Sequence, residues 1–318
     1  MTPSSSMYLA LGYRCNHHCY FCPCGKDKGT PAAETDGIYK ALKHGILHNG
    51  VRYVTLSGGE PTIHPAFSNI LRRCIDLGAE VTVLTNGDRL HDREFAMRCF
   101  EGVDPRHLSV ISAIHSLDPK LHDKVTGVNG SYERTLRGLK NVLELQIPVT
   151  VKQCVSAWNY TSLPEFVDFI FREFGPYASM TICGMDFCGM SRDETAAVAV
   201  GYKEMGPYIE CMIDLAEDLR NKYNAFPRFS VCDLPLCAVD PYYWKFYSKS
   251  SRRTLEQYSA PSAGNSQIGS SYNVTNDCDT YFQECSNCAA NDWCPGVWQT
   301  AFKYFGESEA CAIQLASE

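Results

Sequence analysis

The sequence contains no long apolar run. No segment of its 318 residues approaches the roughly 20 consecutive apolar residues that span a bilayer. The first apolar stretch, Met7 to Leu11, is too short for a secretory signal and has no basic residue before it. The sequence therefore predicts a cytoplasmic protein without a membrane partner.

Blocks of basic residues are also absent. Lysine and arginine total 29 against 36 acidic residues, which gives a formal charge of −7. Nucleic-acid binders draw much of their affinity from neutralising phosphates with clustered basic side chains. A nucleic-acid partner is therefore disfavoured.

Cysteine, in contrast, is abundant. The 17 cysteines come without a secretory signal and several have metal-ligand spacings, which favours metal binding over disulfides. Cys15, Cys19 and Cys22 follow the first apolar run as C-x3-C-x2-C. One loop with this spacing can place three thiolates at three corners of a 4Fe-4S cluster and leave the fourth iron open. The alternatives are buried thiols or a structural zinc site, although zinc sites usually pair C-x2-C units.

Together with Ser57-Gly58-Gly59-Glu60-Pro61, this loop resembles the radical S-adenosylmethionine (SAM) superfamily. The resemblance implies that the open iron binds SAM. One electron, supplied by a flavodoxin- or ferredoxin-type reductant, then cleaves SAM to methionine and a 5′-deoxyadenosyl radical. It also implies that Phe21 lies near the adenine and that Gly58, Gly59 and Glu60 hold the SAM ammonium. Polar residues near predicted strand ends would contact the SAM carboxylate and ribose: Thr85, Asn86, Ser112, Lys152 and Gln153. His17 and His18 are interpreted as surface or supporting residues of the loop.

Six strand-like segments alternate with segments of helical periodicity. The predicted strands are Met7–Leu11, Val51–Leu56, Glu80–Thr85, His107–Ala113, Pro148–Val155 and Ser179–Cys183, and the last long helix is Ile209–Tyr223. Ser162 and Glu165 predict a capping box. The repeats predict an α/β fold with a parallel sheet, either open or curled. The radical SAM resemblance implies a partial (β/α)6 TIM-like barrel over residues 1–225, with its site at the C-terminal ends of the strands.

The repeat pattern ends near Phe226, and a second cysteine group follows. Cys285-x2-Cys288-x5-Cys294 resembles the small C-terminal domains called twitch or SPASM, which bind auxiliary 4Fe-4S clusters. The SPASM pattern has a further cysteine where this chain has Trp298, so the resemblance implies one auxiliary cluster over residues 226–318. Cys237 is the preferred fourth ligand, with Cys278 and Cys311 as rivals. A zinc ribbon is the alternative.

Three further cysteines are candidates for a hydrogen donor. A radical epimerase needs a donor opposite the adenosyl radical, and a thiol S–H bond is weak enough to serve. Cys232 is the first choice, with Cys183 and Cys188 near the end of the sixth strand as rivals. A packed or ligating thiol is the alternative for each.

The predicted activity is hydrogen abstraction from an unactivated carbon, completed as an epimerisation, dehydrogenation or crosslink. The substrate is a ribosomally made peptide or a small natural product, for example of the carbohydrate or aminoglycoside type. From a different class, the chain could be a non-catalytic two-cluster electron carrier or a zinc-bound interaction module. An electron carrier needs no SAM pocket, so the segment Gly58 to Pro61 favours the enzyme.

Overall fold

The computed structural model describes residues 6–25, 32–224, 228–248, 255–259, 272–274, 280–309 and 312–313. The strands are β1 Ser6–Ala10, β2 Tyr53–Ser57, β3 Glu80–Leu84, β4 Leu108–Ala113, β5 Val149–Cys154, β6 Ala178–Cys183, β7 Phe229–Cys232, β8 Leu255–Ser259 and β9 Tyr272–Val274. The helices are α1 Thr35–Lys43, α2 Phe67–Asp76, α3 Arg93–Phe100, α4 Pro119–Thr126, α5 Ser131–Glu144, α6 Leu163–Phe174, α7 Arg192–Val198, α8 Tyr202–Tyr223 and α9 Gln299–Phe305. Within these described ranges, no helix has the length and apolar character needed to cross a membrane.

The chain forms two compact units. The first comprises residues 1–114, 119–150 and 253–275. Its strand order is β4-β3-β2-β1-β8-β9, with β8 parallel to β1 and β9 antiparallel to β8. Side chains alternate between two faces of each strand, and in β1 to β4 one face is fully buried, as expected for parallel strands covered by helices.

The second unit comprises residues 115–118, 151–252 and 276–318. Its strand order is β5-β6-β7, and β6 and β7 run parallel with Thr181 opposite Ser230 and Cys183 opposite Cys232. The first two residues of β5 belong to the other unit. The sequence analysis placed a boundary at residue 225 between a partial barrel and an auxiliary-cluster domain. The two compact units are defined by packing and not by cofactors, so this boundary stays a prediction.

The six predicted strands are confirmed to within two residues, and the α/β fold class with them. The strand β7 was missed because its four residues have a single fully buried side chain, which is too short for a clear alternation. Helix α8 begins at Tyr202, seven residues before the predicted start, with Pro207 inside it. The capping box was wrong: the Ser162 hydroxyl donates to the carbonyl oxygen of Asn159 in the preceding turn and does not cap α6.

Candidate functional site

The loop that carries Cys15, Cys19 and Cys22 follows β1 in the first unit. Its backbone is held at the end of α4, where the N–H groups of His18 and Tyr20 each donate at 2.8 Å to carbonyl oxygens of Thr126 and Val125. All three cysteines are half-buried. The cysteines of the predicted triad therefore lie on one loop whose backbone is hydrogen-bonded to the end of α4.

Gly58 and Gly59 lie against the backbone that leads into this loop. The Gly59 N–H donates to the Gly12 carbonyl oxygen at 2.8 Å, and the Glu60 N–H donates to that of Arg14 at 2.9 Å. A Cβ atom at Gly58 would overlap the Gly12 carbonyl oxygen, and one at Gly59 would overlap that of Arg14. The two glycines are thus needed for the close approach of two backbone segments.

Glu60 joins the ends of β2 and β3. Its buried carboxylate accepts hydrogen bonds from the Thr62 N–H (3.0 Å), the Thr62 hydroxyl (2.5 Å), the Thr85 hydroxyl (2.6 Å) and the Asn86 N–H (2.7 Å). The side chain therefore supports the strand ends whether or not it also meets the SAM ammonium. Thr85 has the same supporting role, because its hydroxyl is used by Glu60 and by the Gly87 N–H.

Of the predicted strand-end residues, Asn86 lies beside the cysteine loop. Its side-chain amide donates to the Asn16 side chain at 2.9 Å and to the Cys15 sulfur at 3.8 Å. The His17 N–H also donates to the Cys15 sulfur, at 3.4 Å. Ser112 is buried, and its hydroxyl has no hydrogen-bond partner among the described residues. Phe21 is buried as well.

These three thiols fit an iron–sulfur cluster with one open iron. They come from one loop and N–H groups point at the Cys15 sulfur, and hydrogen bonds of this kind stabilise cluster-ligating thiolates.

A buried ion network behind the loop was not predicted. The His17 ring lies 3.0 Å from the Asp88 carboxylate, which also accepts two hydrogen bonds from Arg134 Nε and one from Arg134 Nη2 at 2.8 Å. Burial opposes ionisation of Asp88, but the hydrogen bonds with His17 and Arg134 outweigh it and hold the pKa of Asp88 well below its ordinary value. His17 is only 2% exposed, so it supports the loop from inside and is not a surface residue.

In the second unit, three cysteines form a row across β5, β6 and β7. The Val155 N–H donates to the Cys183 carbonyl oxygen, which makes Cys154 and Cys183 neighbours across β5 and β6, and Cys183 is opposite Cys232. The sulfurs of Cys154 and Cys183 are 3.4 Å apart. The ligand atoms of Cys183, Cys232 and Asp233 lie within 4.8 Å of one another. We call Cys154, Cys183 and Cys232 the thiol row.

Lys152 lies on the same face of the sheet as the thiol row. It is two residues before Cys154 in β5, and the sulfurs of Cys183 and Cys154 raise its pKa well above the usual value. Gln153 is fully buried and, by strand alternation, lies on the opposite face. Cys188 is exposed and outside the row. Cys154 was missed by the sequence analysis, although its position at the end of β5 was a usable signal.

The second cysteine group is also in the second unit. A small enclosed cavity of about 20 Å³ is lined by residues that include Cys237, Cys285, Cys288 and Cys294. Backbone N–H groups of Leu236 and Gly296 donate to the Cys294 sulfur, and that of Ile313 donates to the Cys288 sulfur, each at 3.4 Å. Four thiols with N–H donors fit either an iron–sulfur cluster or zinc. Cys278 and Cys311, the rival ligands, lie outside the described residues.

Comparisons with known proteins support the interpretation of the cysteine loop, of Gly58 and Gly59 beside it, and of the α/β fold. The family model "Radical SAM superfamily" matches residues 9–169, which is half of the chain. The chain belongs to the radical SAM superfamily. Family membership implies SAM and a 4Fe-4S cluster as cofactors, and the first cysteine loop is where such a cluster fits.

Curated relatives and a solved structure extend this result. The chain is 29% identical over 164 residues to a probable GTP 3′,8-cyclase of Sulfurisphaera tokodaii, covering 51% of this chain and 50% of the relative. It is 26% identical over 174 residues to the sporulation killing factor maturation protein SkfB of Bacillus subtilis, covering 52% and 41%. The chain thus spans about half the length of the curated relatives it matches, or less.

Streptococcus suis SuiB bound to SAM shares the fold, with a TM-score of 0.68 and 15% identity over 98% of this chain and 77% of SuiB. This similarity confirms the predicted partial-barrel fold of the radical SAM type.

Proposed function

We propose that this radical SAM enzyme abstracts a hydrogen atom from a peptide substrate and completes the reaction as an epimerisation. The single observation that carries the choice of reaction is the thiol row, because an epimerisation must return a hydrogen atom to the substrate carbon. Dehydrogenation and crosslinking need no such donor. The proposed electron source is a flavodoxin- or ferredoxin-type protein.

The first unit would bind the cofactors. Cys15, Cys19 and Cys22 would hold the SAM-binding cluster, which supplies the 5′-deoxyadenosyl radical when SAM and an electron are present. Asn86 and the His17 N–H would support the Cys15 thiolate through the hydrogen bonds described above. Gly58 and Gly59 would let the SAM-binding turn approach the cysteine loop. Glu60 would also accept a hydrogen bond from the SAM ammonium, because its Oε2 atom accepts only the Asn86 N–H among these donors.

Cys232 is the proposed hydrogen donor. It is half-buried, whereas Cys183 is 1% exposed and Cys188 is exposed on the surface. The Cys232 sulfur lies 3.5 Å from the Ile182 carbonyl oxygen and 3.9 Å from the Thr181 hydroxyl, so it is held in place but not enclosed. A donor needs both a fixed position and access to the substrate, and among these three thiols Cys232 best combines them.

Cys237, Cys285, Cys288 and Cys294 would bind one auxiliary 4Fe-4S cluster. Their arrangement around one cavity, with backbone N–H donors on two of the sulfurs, supports this assignment. Zinc is the alternative, and iron analysis with Mössbauer spectroscopy separates the two metals.

The substrate class rests on the relatives. SkfB is named for maturation of a killing factor, and SuiB has also been solved bound to its precursor peptide SuiA. The similarity to a GTP 3′,8-cyclase favours a second candidate, a small-molecule substrate. A peptide encoded beside this gene and a panel of nucleotides are therefore the two substrate sets to compare.

The test is anaerobic turnover of the reconstituted enzyme with SAM and dithionite in deuterated water. We expect 5′-deoxyadenosine and a peptide with one inverted residue that carries one solvent deuterium. Cys232→Ser should still form 5′-deoxyadenosine but lose deuterium incorporation. The matched control is Cys211→Ser, an exposed thiol outside the thiol row, which should behave as the wild type. Inverted, deuterated product from Cys232→Ser would overturn the donor assignment.

A further inference from the structure

The thiol row contains one pair of closely spaced sulfurs, those of Cys154 and Cys183. Cys154 and Cys183 are neighbours across two parallel strands, and their sulfurs are 3.4 Å apart. Adjacent strands lie about 4.7–4.9 Å apart, which is within the about 4.4–6.8 Å range of Cα separations that a disulfide accepts. The two cysteines are thiols in this structure. A disulfide between them would need side-chain rotation but little backbone movement.

The surroundings of this pair are polar. On the same sheet face, the Thr181 and Ser230 hydroxyls are hydrogen-bonded at 2.9 Å, and Lys152 precedes Cys154 by two residues. A hydrogen bond with Cys154 lowers the pKa of Cys183, but a second one with Cys232 and burial outweigh it and raise that pKa to about 12. The Lys152 ammonium lowers the pKa of both thiols, but for Cys154 its hydrogen bond with Cys183 and burial outweigh this effect and raise the pKa well above the usual value. Both cysteines are therefore mainly thiols near neutral pH, and exchange with a disulfide proceeds through the small thiolate fraction.

We propose that Cys154 and Cys183 are a redox-active dithiol that exchanges with small-molecule disulfides such as oxidised glutathione. In the exchange, the thiolate of the half-buried Cys154 attacks the glutathione disulfide and releases one glutathione. The second cysteine then displaces the other glutathione. Two S–H bonds and one S–S bond are lost, while one protein disulfide and two glutathione thiols form, so atoms and electrons balance. A dithiol reductant reverses the reaction.

The redox state of the pair would control whether Cys232 can donate a hydrogen atom in successive turnovers. This consequence rests on the proposed function. A Cys232 sulfur that has given up its hydrogen atom can take one from the adjacent Cys183 thiol, because one S–H bond forms as the other breaks. This exchange moves the thiyl radical to Cys183, and one electron from the proposed flavodoxin- or ferredoxin-type protein with one solvent proton then restores that thiol. Cys183 and Cys232 are close enough for this exchange, with their sulfurs within 4.8 Å. When Cys183 is tied to Cys154, that S–H bond is absent.

The direct test is peptide mapping of the reconstituted protein after anaerobic treatment with oxidised glutathione. We expect a crosslink between the peptides that contain Cys154 and Cys183, which disappears after dithiothreitol and does not form in Cys154→Ser. Cys188→Ser, which removes an exposed thiol outside the row, should still form it. Free Cys154 and Cys183 after treatment, or zinc bound to the row thiols of the purified protein, would overturn the proposal.

The activity test separates this proposal from the proposed function. Oxidised wild-type enzyme should lose repeated turnover while it still forms 5′-deoxyadenosine, and dithiothreitol should restore it. Cys154→Ser should resist oxidised glutathione. A crosslink in an enzyme that never incorporates deuterium would leave the dithiol standing and overturn the epimerisation. Full repeated turnover by the crosslinked enzyme would overturn the control of Cys232.

Discussion

At the scale of single residues, Asp88 links the cysteine loop to helix α5 through buried hydrogen bonds. It is the shared acceptor of His17 and Arg134, and both of those residues lose their buried partner if its charge is removed. His17 lies between Cys15 and Cys19 in sequence. The position of the loop is therefore tied to one carboxylate that lies about 70 residues away in the chain.

Asp88→Asn should lower the free energy of unfolding by about 2–3 kcal/mol, since hydrogen bonds to a buried charge are lost. The depressed pKa of Asp88 means that its contribution is present above about pH 4, the ordinary value, and is lost as the pH falls further. Urea unfolding of both proteins between pH 7 and acid pH measures this difference. Asp104→Asn removes an exposed ion pair with Arg106 and is the matched control, with little expected change. A constant difference at all pH values would contradict the prediction.

Gly59 makes a second residue-scale prediction. Gly59→Ala places a Cβ atom on the Arg14 carbonyl oxygen, so the loop must move, at a cost of about 1–3 kcal/mol. We expect reduced iron in the SAM-binding cluster and reduced 5′-deoxyadenosine formation. Gly25→Ala is the control, because open space surrounds a Cβ atom there, close to the same loop. Equal iron loss in both variants would show that the close backbone contact is unimportant.

At the scale of elements, the turn after β7 and the segment before α9 act together. Cys237 follows β7, while the other three cysteines of its cavity precede α9 by five or more residues. The Tyr281 hydroxyl donates to the Cys294 carbonyl oxygen at 3.1 Å, and Thr280 and Val297 form two backbone hydrogen bonds. These contacts hold the cysteine segment around its cavity.

Cys237→Ser should remove the proposed auxiliary cluster, which is about half of the total iron if both clusters contain four irons. Cys278→Ser and Cys311→Ser, which change the rival cysteines, should retain full iron. Iron and sulfide analysis after anaerobic reconstitution measures the result, with Mössbauer spectra to show which cluster is missing. Full iron in Cys237→Ser, with loss in either rival variant, would reassign the fourth ligand.

At the scale of the whole molecule, the two cysteine groups belong to different compact units. The loop with Cys15, Cys19 and Cys22 is in the first unit, and the thiol row and second cysteine group are in the second. Each group is held by hydrogen bonds within its own unit. We therefore expect the two metal sites to be loaded independently.

The variant Cys15→Ala/Cys19→Ala/Cys22→Ala should test this independence. It should form no 5′-deoxyadenosine but keep about half of the iron, because the second group has its own ligands. The converse variant, Cys285→Ala/Cys288→Ala/Cys294→Ala, should keep the SAM-binding cluster. Loss of all iron in either variant, with an unchanged circular dichroism spectrum, would show that the sites depend on each other.

The sequence alone determined the features that arise from neighbouring residues. The spacing of Cys15, Cys19 and Cys22 places three thiols on one short loop, and six strand-like segments alternate with segments of helical periodicity, because both are local properties of the chain. The tertiary structure decided the rest. Asp88 meets Arg134, and Cys154 lies beside Cys183, only because strand register and packing bring distant residues together. No local pattern encodes a strand register, so these contacts, and the reaction proposed from them, required the folded chain.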